Sequence, residues 1–144
     1  MRALSESEIK KFLSDWTWGT LIAVDCDGPY AVELSYAFDG DRIYCGSMPD
    51  GRMSRCITNG SNVAFKICDS TRDTARFRAA IAEGTVRKLT GRAEIVEGLG
   101  VLYKKLGFPA SRIETRADQL CEPGRSSSFY RIDIASLGGR AIGY

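Results

Sequence analysis

The sequence predicts a mainly β fold with flanking helices, an antiparallel barrel or sandwich closed at its ends by helical segments. Three observations carry that expectation. From Gly19 to Cys68, short apolar or alternating runs follow one another with turn signals between them, and short connections imply antiparallel neighbours. A capped amphipathic segment precedes these runs. A second long helical pattern arrives only after the fifth run, so helices decorate the sheet instead of alternating with its strands.

In order, the chain opens with Ser5 and Glu8 at the S-x-x-E spacing of a capping box, flanked by Leu4 and Ile9 as a hydrophobic staple. A helix should begin at Ser5, burying Ile9, Phe12, Leu13 and Trp16, which recur at helical spacing. GTLIAV lacks that spacing and reads as the first strand, ended by DCDG with its Asp27-Gly28 turn dipeptide. In YAVELSYAF, Tyr30, Val32, Leu34, Tyr36 and Phe38 fall on a core face, and Ala31, Glu33, Ser35 and Ala37 on the other. DGD turns the chain into RIYCGS. Pro49, Asp50 and Gly51 then form a turn ahead of a short helix that carries Met53, Cys56 and Ile57 inward and presents Arg52 and Arg55 outward.

After Asn59-Gly60, NVAFKIC is the next strand, with Val63, Phe65 and Ile67 on its core face. The stretch from Ala75 to Gly91 reads as a long strand bent by a bulge near Gly84. A helix over Arg76 to Ala82 is the alternative on propensity. AEIVEGLGVLYKKLGFP is the second helix, with Leu99, Leu102, Tyr103 and Leu106 in register and Gly107 and Pro109 as stop signals. ASRIETRADQLCEPGRSS reads as a loop with room for a helical turn, SFYRIDIASL as the last strand, and GGRAIGY as a tail.

At 144 residues the chain fits one domain. With 44% hydrophobic and 26% charged residues, neither disorder nor a membrane span is indicated. No apolar run is long enough to cross a bilayer, and the amino terminus lacks a signal-peptide core, so a cytoplasmic protein is expected. A net charge of +2, with no Lys/Arg block, argues against nucleic acid and for a small-molecule partner. The five cysteines are an odd number with no C-x-x-C pair, which predicts reduced, mostly buried thiols, no disulfide and no metal site. Histidine is absent, so any chemistry rests on other side chains or on a cofactor.

With these residues laid out, the chain resembles the pyridoxamine 5'-phosphate oxidase-like flavin-binding proteins, the FMN-binding split barrels, and among them the short branch that includes nitroimidazole-resistance proteins. The carriers are the first helix followed by GTLIAVDCDGPYAVELSYAFDGDRIYCGS, the G-R-x-x-x-x-I segment Gly51 to Ile57 with NGSNVAFKI, and the closing FYRIDIASLGGR. Together they span nearly the whole chain. The resemblance implies an antiparallel Greek-key split β-barrel, a homodimer, and FMN at the dimer interface. On that basis Glu33, Leu34, Ser35 and Tyr36 lie along the isoalloxazine ring, while Cys45, Gly46 and Ser47 and the turn Gly51, Arg52 and Met53 approach the phosphate. The residue reading concurs, because a helix start beside a guanidinium suits a phosphate.

Two departures qualify the transfer. The family commonly has lysine after the basic residue of the turn, where this chain has Met53. Arg52, Arg55 or Arg78 would then supply the charge, since arginine meets phosphate bidentately, while Asp50 opposes a dianion. Gly46 stands where the nitroimidazole-reducing branch tends to carry histidine, so no histidine-dependent mechanism and no haem role are carried over. The implied activity is an FMN-dependent oxidoreductase that passes electrons from NADH or NADPH to a small acceptor, with the flavin bearing the hydride and no acid or base assigned. The alternative is a module that holds flavin or a related ligand without turnover, which the departure at Met53 favours.

Overall fold

Tight turns at Asp25–Gly28 and Phe38–Arg42 fold β2 (Trp18–Asp25), β3 (Gly28–Phe38) and β4 (Arg42–Gly46) into an antiparallel meander. The computed structural model describes the whole chain, Met1–Tyr144. The remaining elements are β1 (Arg2–Ala3), α1 (Glu6–Asp15), α2 (Arg52–Cys56), β5 (Asn62–Ser70), β6 (Phe77–Lys88), α3 (Arg92–Leu106), α4 (Ile113–Leu120) and β7 (Phe129–Ile142), with a 3-10 turn at Ala110–Arg112. After α2 the chain returns to lay β5 beside β2, which is the Greek-key order. The sheet runs β1-β7-β4-β3-β2-β5-β6, and β6 also pairs with β7, closing the barrel.

The expected bulge near Gly84 is present. The β6–β7 register slips there, with Glu83 opposite Ser136 and Gly84 opposite Ile134, so Ala135 is the extra residue. A Cβ at position 84 would stand 2.0 Å from the Asp133 carbonyl oxygen, a contact only glycine avoids. Phe77–Lys88 is therefore strand throughout, and the helical alternative over Arg76 to Ala82 fails because both edges of β6 are paired.

Alternation along the strands fills the barrel with Leu21, Leu34, Tyr36, Ile43, Phe65, Ile67, Val86 and Ile132. Helix α1 seats Ile9, Phe12 and Leu13 on this core, and its capping box forms as read, with the Ser5 N–H donating to the Glu8 carboxylate at 2.7 Å. A second, smaller core lies outside the barrel, where Tyr44 and Phe129 meet Ile95, Leu99 and Leu102 of α3 and Ala117 of α4.

Three expectations need correcting, and one element was not anticipated. The predicted tail GGRAIGY is mostly strand, since β7 continues to Ile142 against β6; Gly138 and Gly139 have no side chains and hide the alternation. Residues read as a loop form α4, held by Ala117 against α3 and by Arg92, which donates to Glu114 and Asp118. A two-residue strand, β1, precedes the first helix and pairs with β7. Finally, Cys26 and Cys56 are joined as a disulfide, with Cα atoms 5.2 Å apart. Of the free thiols, Cys45 is buried, Cys68 exposed and Cys121 half-buried. The pairing was not legible because it depends on α2 folding over the β2–β3 turn. No helix is long and apolar enough to cross a membrane.

Candidate functional site

The first component of the site is the outer wall of the β2–β3 hairpin. Register sets Trp18 opposite Ser35, Thr20 opposite Glu33, Ile22 opposite Ala31 and Val24 opposite Pro29, while β5 extends the wall with Lys66 beside Thr20 and Ala64 beside Ile22. Trp18 is 60% exposed, Ile22 37% and Val24 73%, an unusual display of large apolar side chains on one strand. A groove of about 730 Å³ runs along this wall past Ile22, Val24, Ala31, Ala64, Thr85 and Ser136.

The four ring-side residues expected on β3 divide by strand parity. Glu33 and Ser35 face outward, and the Thr20 hydroxyl donates to the Glu33 carboxylate. Leu34 and Tyr36 turn into the barrel. Tyr36 packs edge-on to Phe65 with centroids 4.9 Å apart and donates its hydroxyl to the Leu13 carbonyl at 2.7 Å. Burial holds that phenol protonated. Cys45 is also enclosed, and burial pushes its thiol up to about 12. Leu34, Tyr36 and Cys45 thus offer a ligand only their backbone.

The second component is the rim between β4 and α2. Ser47 hydrogen-bonds the Tyr130 hydroxyl at 2.9 Å, and its backbone N–H donates to the Ser128 carbonyl at 2.9 Å, which stitches Gly46 and Ser47 to the start of β7. Burial raises the Tyr130 phenol to about 12. Gly51 is the N-cap of α2, and its carbonyl accepts from the Arg55 N–H and from the Ser54 hydroxyl, both at 3.0 Å. Met53 is 2% exposed and belongs to the barrel core, so its side chain cannot replace the lysine of the family turn.

Arginine placement decides the electrostatics. Arg52 grips Asp25 with both arms of its fork, Nε to Oδ2 at 2.8 Å and Nη2 to Oδ1 at 2.9 Å, and its guanidinium lies 4.5 Å from the Tyr30 ring centroid. The Asp25 side chain is 1% exposed, and Arg52 holds its carboxyl below the usual carboxylate range. Arg55 is exposed at the last turn of α2. Arg78 does not join this group. It pairs with Asp69 at 3.3 Å and covers the Phe12 ring near the start of β6, whereas α2 meets the far end of that strand, about 30 Å away at strand rise.

Lys88, at that far end, was missed in the sequence. Its Nζ donates to the Ser54 carbonyl at 3.0 Å, and burial lowers its pKa. No pattern pointed to it, because a lysine alternating outward at a strand end is usually solvated. Asp25 was hidden in a segment legible only as a turn. Cys26, Asp27 and Cys56 bring three potential metal-ligating atoms within 4.8 Å of one another, but the two sulfurs are spent on their own bond.

The structure therefore gathers Ser47, Gly51, Arg52 and Arg55 at one rim, beside a wall that carries Glu33 and Ser35. Solved structures share this architecture. An FAD-binding protein from Mesorhizobium loti superposes with a TM-score of 0.69 at 22% identity, over 97% of this chain and 95% of that one. The FAD binding protein from Mycobacterium smegmatis gives 0.68 at 14% identity, over 99% and 98%. A candidate 5-nitroimidazole antibiotic resistance protein from Bacteroides thetaiotaomicron gives 0.71 at 14% identity, over 97% and 86%. At these identities the likeness establishes the fold. No curated protein sequence matches the chain at a significant level. The family model described as pyridoxamine 5'-phosphate oxidase, however, matches residues 5–141, and with a match of that extent the chain belongs to the pyridoxamine 5'-phosphate oxidase family of split barrels.

Proposed function

We propose that this chain is a flavoprotein that binds FMN and passes electrons from NADH or NADPH to a small acceptor, working in the cytoplasm as a homodimer. The observation that carries the reading is the exposed wall of Trp18, Ile22 and Val24 with its groove of about 730 Å³, which lies within the usual size range of small-molecule sites. Family membership supports it, as do the two similar structures described as FAD-binding.

The residues present fit such a cofactor in two parts. A flat ring suits the apolar wall, with Glu33 and Ser35 as its polar edge and backbone groups of Leu34 and Tyr36 within the same strand. A phosphate suits the rim, where Ser47 offers a hydroxyl and Arg55 an uncommitted guanidinium. Asp25 occupies Nε and Nη2 of Arg52, which leaves Nη1 for a second anion. When bound, the flavin supplies the hydride chemistry. The chain positions the ring and shields it from water. It assigns no acid or base, since burial raises Tyr36, Tyr130 and Cys45 and makes each a weak proton donor. A second copy of the chain over Trp18 and Val24 would cover apolar surface that a monomer leaves wet.

The second reading, a flavin-binding module without turnover, is favoured by the burial of Met53, which removes one phosphate contact. Mixing the FMN-loaded protein with NADH or NADPH under anaerobic conditions separates the two. Bleaching of the yellow band supports the oxidoreductase, retained colour supports the module, and a protein that takes up no flavin overturns both.

A further inference from the structure

Helix α2 has five residues, and its backbone hydrogen bonds are local: Arg55 to Gly51 and Ile57 to Met53. Its hold on the barrel lies in side chains. Met53 and Ile57 are buried in the core, Lys88 reaches the Ser54 carbonyl, and the other two ties share a face. Arg52 and Cys56 are four residues apart, so they project from the same side of the helix. That side meets Asp25 and Cys26, consecutive residues where β2 runs into its turn. One tie is ionic and the other covalent.

We infer that Cys26 and Cys56 form a redox-active pair, a site of reversible thiol–disulfide exchange that latches α2 onto the β2–β3 turn. Three features point to exchange. Neither residue is buried, with Cys26 exposed and Cys56 half-exposed, so the pair lies where a small thiol can approach it. The Cα separation of 5.2 Å is ordinary for a disulfide, so the bond forms on the backbone as it stands. The reduced state has a partner as well, since the Asp27 carboxylate lies 3.8 Å from the Cys56 sulfur, placed to accept from its thiol once the bond is broken.

The step balances with a low-molecular-weight thiol as reductant. One thiolate attacks a sulfur of the pair, breaking the Cys26–Cys56 bond and forming a mixed disulfide. A second thiolate attacks the small-molecule sulfur of that mixed disulfide and displaces the protein cysteine, leaving two protein thiols and one small disulfide. Two electrons pass to the protein sulfurs, and two protons accompany them. A small disulfide reverses the sequence. Reduction opens the covalent loop between positions 30 residues apart, leaving the Arg52–Asp25 pair and the burial of Met53 and Ile57 to hold α2. The latch loosens without losing the helix.

The test uses the wild-type chain equilibrated in glutathione buffers of stepped ratio, then acid-quenched, denatured and treated with N-ethylmaleimide. Oxidised protein should take up three labels, at Cys45, Cys68 and Cys121, and reduced protein five. Across the series the two labels at Cys26 and Cys56 should appear together. Hydrogen exchange on the same samples should quicken by about tenfold over 25–29 and 48–58 on reduction, while β6 and β7 stay protected. The double variant Cys26→Ser, Cys56→Ser should show the fast pattern and no response to glutathione. Five labels at every ratio, pairing of either cysteine with a different partner, or exchange that ignores reduction would overturn the inference. Flavin enters none of these readouts, so their outcome is separate from that of the cofactor reading.

Discussion

A methyl group at position 84 would stand 2.0 Å from the carbonyl oxygen of Asp133. Gly84→Ala should therefore cost about 1–3 kcal/mol, the range for a steric clash that the backbone must move to relieve, read as a lowered urea midpoint. This constraint was legible, because an isolated glycine in a strand pattern marks a bulge or a close backbone approach. The Asp25–Arg52 pair was not, since it exists only once α2 lies over the turn. Its pH behaviour follows from the direction of the shift. The folded carboxyl titrates below the value of about 3.9 found in unfolded chains, so the pair stabilises fully above that pH and loses its contribution as pH falls through the folded value. Denaturant titrations of the wild type and Asp25→Asn should differ most near neutrality and converge in strong acid. A gap that widens in acid would contradict the assignment.

At the scale of elements, α2 shows how parity separates readable from unreadable. Of the predicted inward set Met53, Cys56 and Ile57, Met53 and Ile57 are buried, whereas Cys56 is half-exposed and turns with Arg52 toward the β2–β3 turn. What the short helix touches was not predicted, because those partners come from Asp25, Cys26 and Lys88, remote in sequence. Restoring the family lysine therefore should not restore a phosphate contact. Met53→Lys should lower stability by about 2–5 kcal/mol, the cost of losing a buried methionine, and leave FMN affinity no tighter in a fluorescence titration. Tighter binding with unchanged stability would place residue 53 at the surface. The full length of helix α4, read only as a loop with room for a helical turn, and the end of β7 were missed for a related reason. Each is secured by tertiary contacts, α4 through Arg92 and Ala117, and the glycine-rich part of β7 through β6.

For the whole molecule, alternating strands with short turns were enough to read an antiparallel fold, and closure of β6 on β7 completes the barrel. That fold leaves the outer face of β2 apolar and bare. If a second copy covers it, Val24→Glu should shift the protein from dimer to monomer in light scattering. A change of about 0.5 kcal/mol or less in monomer stability should accompany the shift, as for other exposed positions. A dimer that survives the substitution would move the interface elsewhere. Whether the chain holds the cofactor is decided by equilibrium titration of FMN into the purified protein. Flavin fluorescence should quench to saturation, with weaker binding in Arg55→Ala; fluorescence that stays additive at every protein concentration would mean that the chain binds no FMN.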